Sequence, residues 1–243
     1  MSAVAQAPAS QSWRARLTLD YRMAQGRCVA HDRHEGPLRV LQRLYPEGPA
    51  ICHHVLVHPP GGIVGGDQLA LEATLGEGSH ALVTTPGATR FYRSAGATAR
   101  QQATLTLAPG ARLEWLPLES IAYDGCRAEN AVRLDLAPGA EMIGWDVLAL
   151  GLPAAGGGFV DGVFLQHLDW PGVWLERGEV SGHDTRLLDS PLGWAGHRVL
   201  GTLWFAAGTP MAAPRIEALL DAARDAADAQ ALDAGATSPE PRL

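Results

Sequence analysis

The chain of 243 residues contains few cysteines, namely Cys28, Cys52 and Cys126, and they form no Cys-x-x-Cys pair. An odd and sparse set argues against a disulfide framework and against a structural zinc site. The sequence therefore predicts a fold that is held together without cross-links and without a structural metal.

Long apolar segments are missing as well. No run approaches the roughly 18 residues that a membrane-spanning helix requires. The first residues, MSAVAQAPASQSWRARL, lack the apolar centre of a signal peptide. These two absences predict a protein that does not associate with membranes and is located in the cytoplasm.

Charge is sparse and has no basic concentration. Charged residues make up 19% of the chain, the formal net charge is -7, and no cluster of Lys or Arg stands out. Since binding to phosphates requires a basic face, nucleic acid is not an expected partner. The hydrophobic fraction of 47% allows a sizeable core, and 28 glycines with 17 prolines indicate many turns and short elements.

Common catalytic motifs are absent too. The sequence has no G-x-S-x-G elbow and no H-E-x-x-H. His183 and Asp184 are neighbours, but adjacent residues of a strand point to opposite faces, and no nucleophile can be paired with them. A non-enzymatic role is favoured; the alternative is a small-molecule enzyme on a β scaffold with Asp67 and His183 in its site.

A weak internal repeat is the most informative feature that is present. Residues 105–113 resemble residues 134–142, and residues 75–82 form a fainter copy. Each copy reads as a strand with period-2 alternation, a turn at Gly78, Gly110 or Gly139, and a second strand. A period of about 30 residues is typical of stacked β units. The alternative is coincidence among ordinary hairpins, since Ala-Pro-Gly is a common turn.

One helix is predicted, over residues 214–230, and it carries an apolar stripe at helical spacing. The stripe consists of Ile216, Leu219, Leu220, Ala223 and Ala227. The residues after it are linker-like, and residues 1–12 are expected to be a disordered tail. No linker divides the remainder, so we expect a single all-β dominated domain over 13–243 with a few short helices.

The glycine cluster of residues 59–67 could bind a ligand or bend the chain. It lacks a Gly-Lys-Ser/Thr element, and no helix pattern follows it, so a phosphate site is not supported. A tight bend between strands is favoured. Asp67 could cap that bend through its side chain, or it could bind a hard metal ion.

The segment with Arg90, Phe91, Tyr92 and Arg93 has the composition of an interface anchor. The alternative is a buried aromatic pair that is covered by the arginine stems. The sequence favours the interface.

Several acids lie within apolar strand sequence: Glu114, Glu119, Asp124, Asp146 and Glu176. An acid in such a place must be paired, bind a cation or line a wet cavity. For any one of them an ordinary salt bridge is the simpler interpretation.

Cys52, His54 and His58 would share one face of a strand over 52–58. Thiolate and imidazole suit nickel as well as zinc. Their spacing matches no known ligand pattern, however, so partly exposed strand histidines are favoured.

Four blocks together resemble a known family. They are residues 58–67 (HPPGGIVGGD), 85–94 (TPGATRFYRS), 113–121 (LEWLPLESI) and 145–151 (WDVLALG). In this order they resemble the UreD (UreH) family of urease accessory proteins, with coverage from about Trp13 through the Gly201 strand.

The resemblance implies a β-helix-like fold of layered sheets and no catalytic activity. It implies a complex with UreF and, through UreF, the GTPase UreG, docked on the urease structural subunits. It also implies that nickel passes through an internal tunnel to the carbamylated dinickel site, with no tightly bound cofactor. The alternative is a purely structural adaptor that recruits UreF and UreG without contacting nickel. Asp67, Asp146 and Glu176 match family positions and are the expected contacts for nickel in transit.

The sequence departs from the family pattern at its end. Relatives usually continue beyond the helix with another strand and a basic helical tail, whereas this sequence ends at Leu243. Because that region helps to contact UreF in relatives, docking to UreF is the least secure of the properties that the resemblance implies.

Overall fold

The computed structural model describes residues 12–243, which form two β-sheets packed face to face. The predicted disordered tail, residues 1–12, lies outside these residues except for Ser12. We name the seven-stranded sheet A. In spatial order its strands are β14 (Trp174–Ser181), β13 (Val163–Trp170), β11 (Arg127–Leu136), β8 (Ala99–Leu107), β5 (Gln68–Leu75), β1 (Arg14–Ala24) and β2 (Arg27–Glu35).

The second sheet, sheet B, has eight strands. Along the hydrogen-bonded path they are β3 (Arg39–Leu44), β4 (Ile51–Val57), β6 (His80–Thr84), β9 (Arg112–Leu116), β12 (Glu141–Leu150), β10 (Ser120–Ala122) and β7 (Thr89–Phe91). The two strands β9 and β10 pair with the first and last parts of β12, and the eighth strand, β15 (Val199–Ala207), pairs antiparallel with β12 as well. The chain alternates between the sheets, so most neighbouring strands run parallel.

The predicted repeat is confirmed as architecture. Its first strands, β5, β8 and β11, are parallel neighbours in sheet A, and its second strands, β6, β9 and β12, are parallel neighbours in sheet B. The intervening turn glycines, Gly78, Gly110 and Gly139, have φ of +64°, +68° and +79°. This left-handed conformation suits glycine, because any side chain would be strained there. The result is the layered, solenoid-like β structure that the sequence predicts.

Apolar side chains alternate with polar ones along the strands, and those that point inward fill the space between the sheets. In the repeat, Leu75, Leu107 and Leu136 lie in register on neighbouring strands, and each is buried. Burying one such side chain contributes about 1.5–3 kcal/mol relative to leaving it exposed. Phe91 of sheet B meets Phe164 of sheet A edge to face at 5.2 Å between ring centroids. The core thus joins both sheets.

Helical structure within residues 12–243 is limited to three segments. A 3₁₀ turn covers Pro153–Ala155, α1 covers Thr185–Asp189 and α2 covers Ala213–Ala229. Helix α2 coincides with the helix predicted over 214–230. Within residues 12–243, no helix combines the length and the apolar character needed to cross a membrane.

The outer faces of the two sheets differ in chemistry. Sheet A carries ion pairs between neighbouring strands, namely Arg16 with Glu72, Arg100 with Glu129 and Arg133 with Asp169. The outer side of β12 and β15 is mostly apolar, apart from Glu141, which pairs with Arg215. Its apolar members are Ile143, Trp145, Val147, Val199, Leu203 and Phe205. We name these six residues the apolar face. An exposed apolar patch of this kind is typical of an interaction site.

Candidate functional site

A cavity of about 410 Å³ lies between the sheets. It reaches the surface loops at His58–Ile63 and Thr85–Ala88, and its inner walls include Gln101, Asn130 and Asp146. The first two belong to sheet A and the third to sheet B. A mostly apolar chamber with a few polar groups at its inner end is the usual form of a binding site.

Asp146 is the predicted acid that lines this cavity. It lies on β12 on the same side as the buried Gly144 and Leu148, so its carboxylate points inward. Its Oδ2 accepts a hydrogen bond of 2.8 Å from Nδ2 of Asn130. Burial raises the pKa of Asp146 to about 6, and hydrogen bonds from Gln166 and Asn130 oppose that rise. No Arg or His forms an ion pair with it among the described residues.

Glu176 lies on the edge strand β14 of sheet A, opposite Leu168 of β13. It shares its side of the strand with the buried Val180, so it points toward the interior and is partly exposed. Its negative charge makes a minor contribution to the raised pKa of Asp146, after the larger effect of burial. The two predicted acids therefore lie in neighbouring parts of the same interior.

Asp67 occupies a different environment. It is 1% exposed, and its two carboxylate oxygens accept backbone N–H groups, Oδ1 from Trp13 at 2.7 Å and Oδ2 from Val64 at 3.0 Å. Gly66, with φ of +95°, precedes it in the bend. This geometry favours the first of the two sequence interpretations, in which Asp67 caps the glycine-rich bend.

The predicted metal contacts are not gathered at one point. Within residues 12–243, no three His, Cys, Asp or Glu side chains converge in a way that could hold a metal ion. Asp67, Asp146 and Glu176 thus form no chelating cluster.

The predicted interface segment is divided between core and surface. Phe91 is 0% exposed, so it cannot contact a partner, and the interface prediction has to be corrected for this residue. Tyr92 is 36% exposed and packs against Tyr123 at 5.0 Å between ring centroids. Arg93 is exposed and pairs with Asp124, while Arg90 is exposed beside the cavity. The strand alternation explains the inward orientation of Phe91.

Cys52 and His54 share the inner face of β4, as the alternation predicts, but His54 is not partly exposed as expected. It is 0% exposed, and its Nδ1 lies 2.7 Å from the hydroxyl oxygen of Tyr21. Burial lowers the pKa of His54 to about 4, which keeps the ring neutral. Burial also lowers the pKa of His58, with the charge of Asp67 opposing the change. His58 lines the cavity.

Two of the other acids are paired, in agreement with the simpler interpretation. Glu114 contacts His80 at 2.9 Å. Asp124 accepts backbone N–H groups of Asp161 and Val160, and these bonds with the nearby Arg93 lower its pKa. Asp124 thereby holds two surface loops together.

The structure also reveals polar residues that sequence reasoning did not select, namely Gln101, Asn130 and Gln166. They lie at inward positions of strands whose other inward residues are mostly apolar. Asn130 is 4% exposed between Ala128 and Val132, which are also buried. An amide at an inward position of an alternating strand is the signal that could have identified them.

Comparison with known proteins agrees with the resemblance of the four sequence blocks. Residues 13–243 match the family described as UreD urease accessory protein. Proteins named urease accessory protein UreD are similar to the chain. The one from Leptothrix cholodnii is 64% identical over 215 residues, covering 88% of this chain and 77% of that protein.

Two further relatives carry the same name. The protein from Variovorax paradoxus is 60% identical and that from Paracidovorax citrulli 59% identical, each over 234 residues that cover 96% of this chain and 85% of the relative. A match of this extent decides the family. The chain belongs to the UreD family of urease accessory proteins, which act in urease maturation as chaperones and are not enzymes.

Proposed function

We propose that this protein is the scaffold and conduit of a complex with UreF and UreG that delivers nickel to apo-urease. Nickel is the cargo and passes through the cavity between the sheets, where Asp146 contacts it. Glu176, on the edge strand β14 and not part of the cavity lining, is the second contact that we assign to its path. The proposal refines the role in urease maturation that the family membership supports.

The observation that carries the proposal is the placement of Asp146. A carboxylate inside an apolar sandwich is costly unless a cation or several hydrogen bonds stabilise it. Among the described residues it has no cationic side chain as partner, and it lines a cavity large enough to admit an ion with bound water. A transient contact needs few ligands, because a full coordination shell would retain the cargo.

The apolar face supports the scaffold part of the proposal. Leu203 and Val199 are each 59% exposed, and Ile143 is 36% exposed. A partner that covers these side chains removes apolar area from water, which stabilises a complex. We assign this face to contact with the accessory partners.

The position of the cavity mouth supports a link between the docking of a partner and the transfer of nickel. Arg90 and the loop residues Pro86 and Gly87 line the cavity on the side where Tyr92 and Arg93 are exposed. A partner seated on this segment would cover the mouth, so that an ion could enter the cavity without first equilibrating with solvent.

The proposal is tested by the variants Asp146→Asn and Glu176→Gln, which remove charge with little change of shape. The full chain is co-expressed with the urease subunits and the other accessory proteins, and the nickel content and activity of urease are measured. Both should fall while the accessory complex still co-purifies.

A purely structural adaptor that never contacts nickel is the second candidate, and the apolar face is compatible with it. Normal nickel content in urease with both charge-neutral variants would support the adaptor and rule out the conduit.

A further inference from the structure

Three amide side chains form a ladder across the inner face of sheet A. Asn130 of β11 is the register partner of Gln101 of β8 on one side and of Gln166 of β13 on the other. Nε2 of Gln101 donates to Oδ1 of Asn130 at 3.2 Å, and Nδ2 of Asn130 donates to Oε1 of Gln166 at 3.2 Å. Both bonds run in the same direction, with Gln101 and Asn130 each donating to the next amide toward the edge strand β14.

Asn130 is the member of the ladder that reaches the opposite sheet. Its Nδ2 also donates to Oδ2 of Asp146 at 2.8 Å, the shortest of the bonds that it makes. Because its carbonyl oxygen is occupied by Gln101, its NH₂ group must face the carboxylate. The opposite orientation of the amide would place two acceptor oxygens against each other.

The orientation of the amide determines what Asp146 can offer. Asn130 holds Oδ2 at 2.8 Å, and Gln166 is the second amide that stabilises the charged carboxylate. A carboxylate has more acceptor sites than these two amides occupy, so it keeps acceptor capacity at the cavity wall that Asp146 lines. Hydrogen-bonded partners of this kind orient metal-binding carboxylates in many proteins.

We propose that Asn130 is a positioning residue that aims the carboxylate of Asp146 at a divalent cation in the cavity, and that Gln101 fixes the orientation of Asn130. This inference rests on the proposed function, since it assumes that Asp146 contacts nickel. It adds that the affinity of Asp146 for the ion depends on two neutral amides that do not contact the ion themselves.

The test compares variants of the full chain, purified as the accessory complex and titrated with nickel chloride in equilibrium dialysis. Asn130→Leu replaces the amide with an apolar side chain of similar size. Gln101→Leu removes the hydrogen bond that fixes the orientation of the Asn130 amide. Leu134→Ala is the control, since Leu134 lies on the same face of β11, is fully buried and has no polar group. Thermal unfolding of every variant reports the structural effect separately.

Asn130→Leu should lower nickel affinity by about 10- to 100-fold, the range seen for partners of metal-binding groups. Gln101→Leu should lower nickel affinity less. Asn130→Ser, which keeps a hydrogen-bond donor, should retain more nickel affinity than Asn130→Leu. Leu134→Ala should lower the unfolding temperature without changing nickel affinity. Where Asn130→Leu fails to fold, Gln101→Leu and Asn130→Ser provide the same comparison.

The outcomes separate this inference from the proposed function. Unchanged affinity in Asn130→Leu, or an equal loss in Leu134→Ala, overturns the positioning role. Loss of nickel binding in Asp146→Asn together with normal binding in Asn130→Leu removes only the positioning role. Normal binding in Asp146→Asn overturns both.

Discussion

Nδ2 of Asn130 and Oδ2 of Asp146 lie 2.8 Å apart and form a hydrogen bond that connects sheet A to sheet B inside the sandwich. The two residues are close in sequence but belong to opposite sheets, because the turn at Gly139 separates their strands. This contact places a carboxylate and its donor at the inner end of the cavity. Several consequences for stability and for partner binding can be measured.

Asp146→Asn should stabilise the protein in a pH-dependent way. Burial raises the pKa of Asp146 from its usual 3.8 to about 6, so the folded state holds this proton more tightly than the unfolded state. Stability contributed by this group is therefore full below about pH 4 and is lost as the pH rises to 6. At pH 7.5 the variant should be more stable by on the order of 1–3 kcal/mol. Denaturant unfolding at pH 4 and pH 7.5 measures the difference, and an equal gain at both values would contradict the assignment.

His54 should make the fold less stable at low pH, whereas Asp146 makes it less stable at high pH. Burial lowers its pKa from 6.5 to about 4, so the unfolded state binds the proton more readily. The stability it contributes is present above pH 6.5 and decreases as the pH falls to 4, by roughly 3 kcal/mol in total. The double variant Tyr21→Phe/His54→Leu should lose this dependence, whereas Tyr21→Phe alone should keep it. Unfolding free energies measured between pH 7 and pH 4 provide the test.

Gly144→Ala should disturb the packing of Trp204. A Cβ atom at position 144 would lie 2.5 Å from Cζ2 of Trp204, whose ring also contacts Trp174. Overpacking of this kind typically costs about 1–3 kcal/mol. Near-ultraviolet circular dichroism should change as well. Gly110→Ala is the comparison, because its cost of roughly 1–2 kcal/mol comes from backbone strain at φ of +68° and should leave that signal unaltered.

Leu203→Glu should weaken binding of the accessory partners without unfolding the protein. Leu203 is 59% exposed at the centre of the apolar face, so the folded chain tolerates a charge there, whereas a partner would have to bury it. Leu192→Glu is the matched control, since Leu192 is 99% exposed and lies outside that face. Co-purification of the accessory proteins measures the effect. Equal losses in both variants would show that the apolar face is not the docking surface.

Phe91→Ala and Tyr92→Ala should separate core from surface in the predicted interface segment. Phe91 is fully buried against Phe164, and its truncation should cost about 3–5 kcal/mol of stability. Tyr92 is partly exposed, so Tyr92→Ala should cost less stability and affect partner binding more. The two effects are measured by denaturant unfolding and by co-purification. Reduced stability without reduced binding in Tyr92→Ala would place this segment outside the interface.

Much of the fold could be predicted because its signals are local. The repeat around Gly78, Gly110 and Gly139 combines period-2 alternation with turns, and both depend on neighbouring residues only. Helix α2 was predictable from the spacing of its apolar stripe. Asp146 and Glu176 could be selected from the sequence because they are acids within apolar strand sequence, which is also a local signal.

Other features could not be predicted because they depend on how distant strands align. The sequence favours partial exposure for His54, yet the packing of β4 against β1 encloses its ring beside Tyr21. Phe91 has neighbours typical of an interface, and only its place in the short strand β7 turns it toward Phe164. In both cases side-chain type does not determine burial.

The sequence by itself determined the family, the alternation of strands and turns, and the presence of acids in apolar surroundings, because these properties are carried by residue order. The tertiary structure alone decided which of the acids lines the cavity, that Asp67 caps a bend, and that Asn130 lies against Asp146. A one-residue change of register would turn every one of these side chains to the opposite face. Register and sheet packing are set by the whole core, so the geometry of the site is a property of the folded chain.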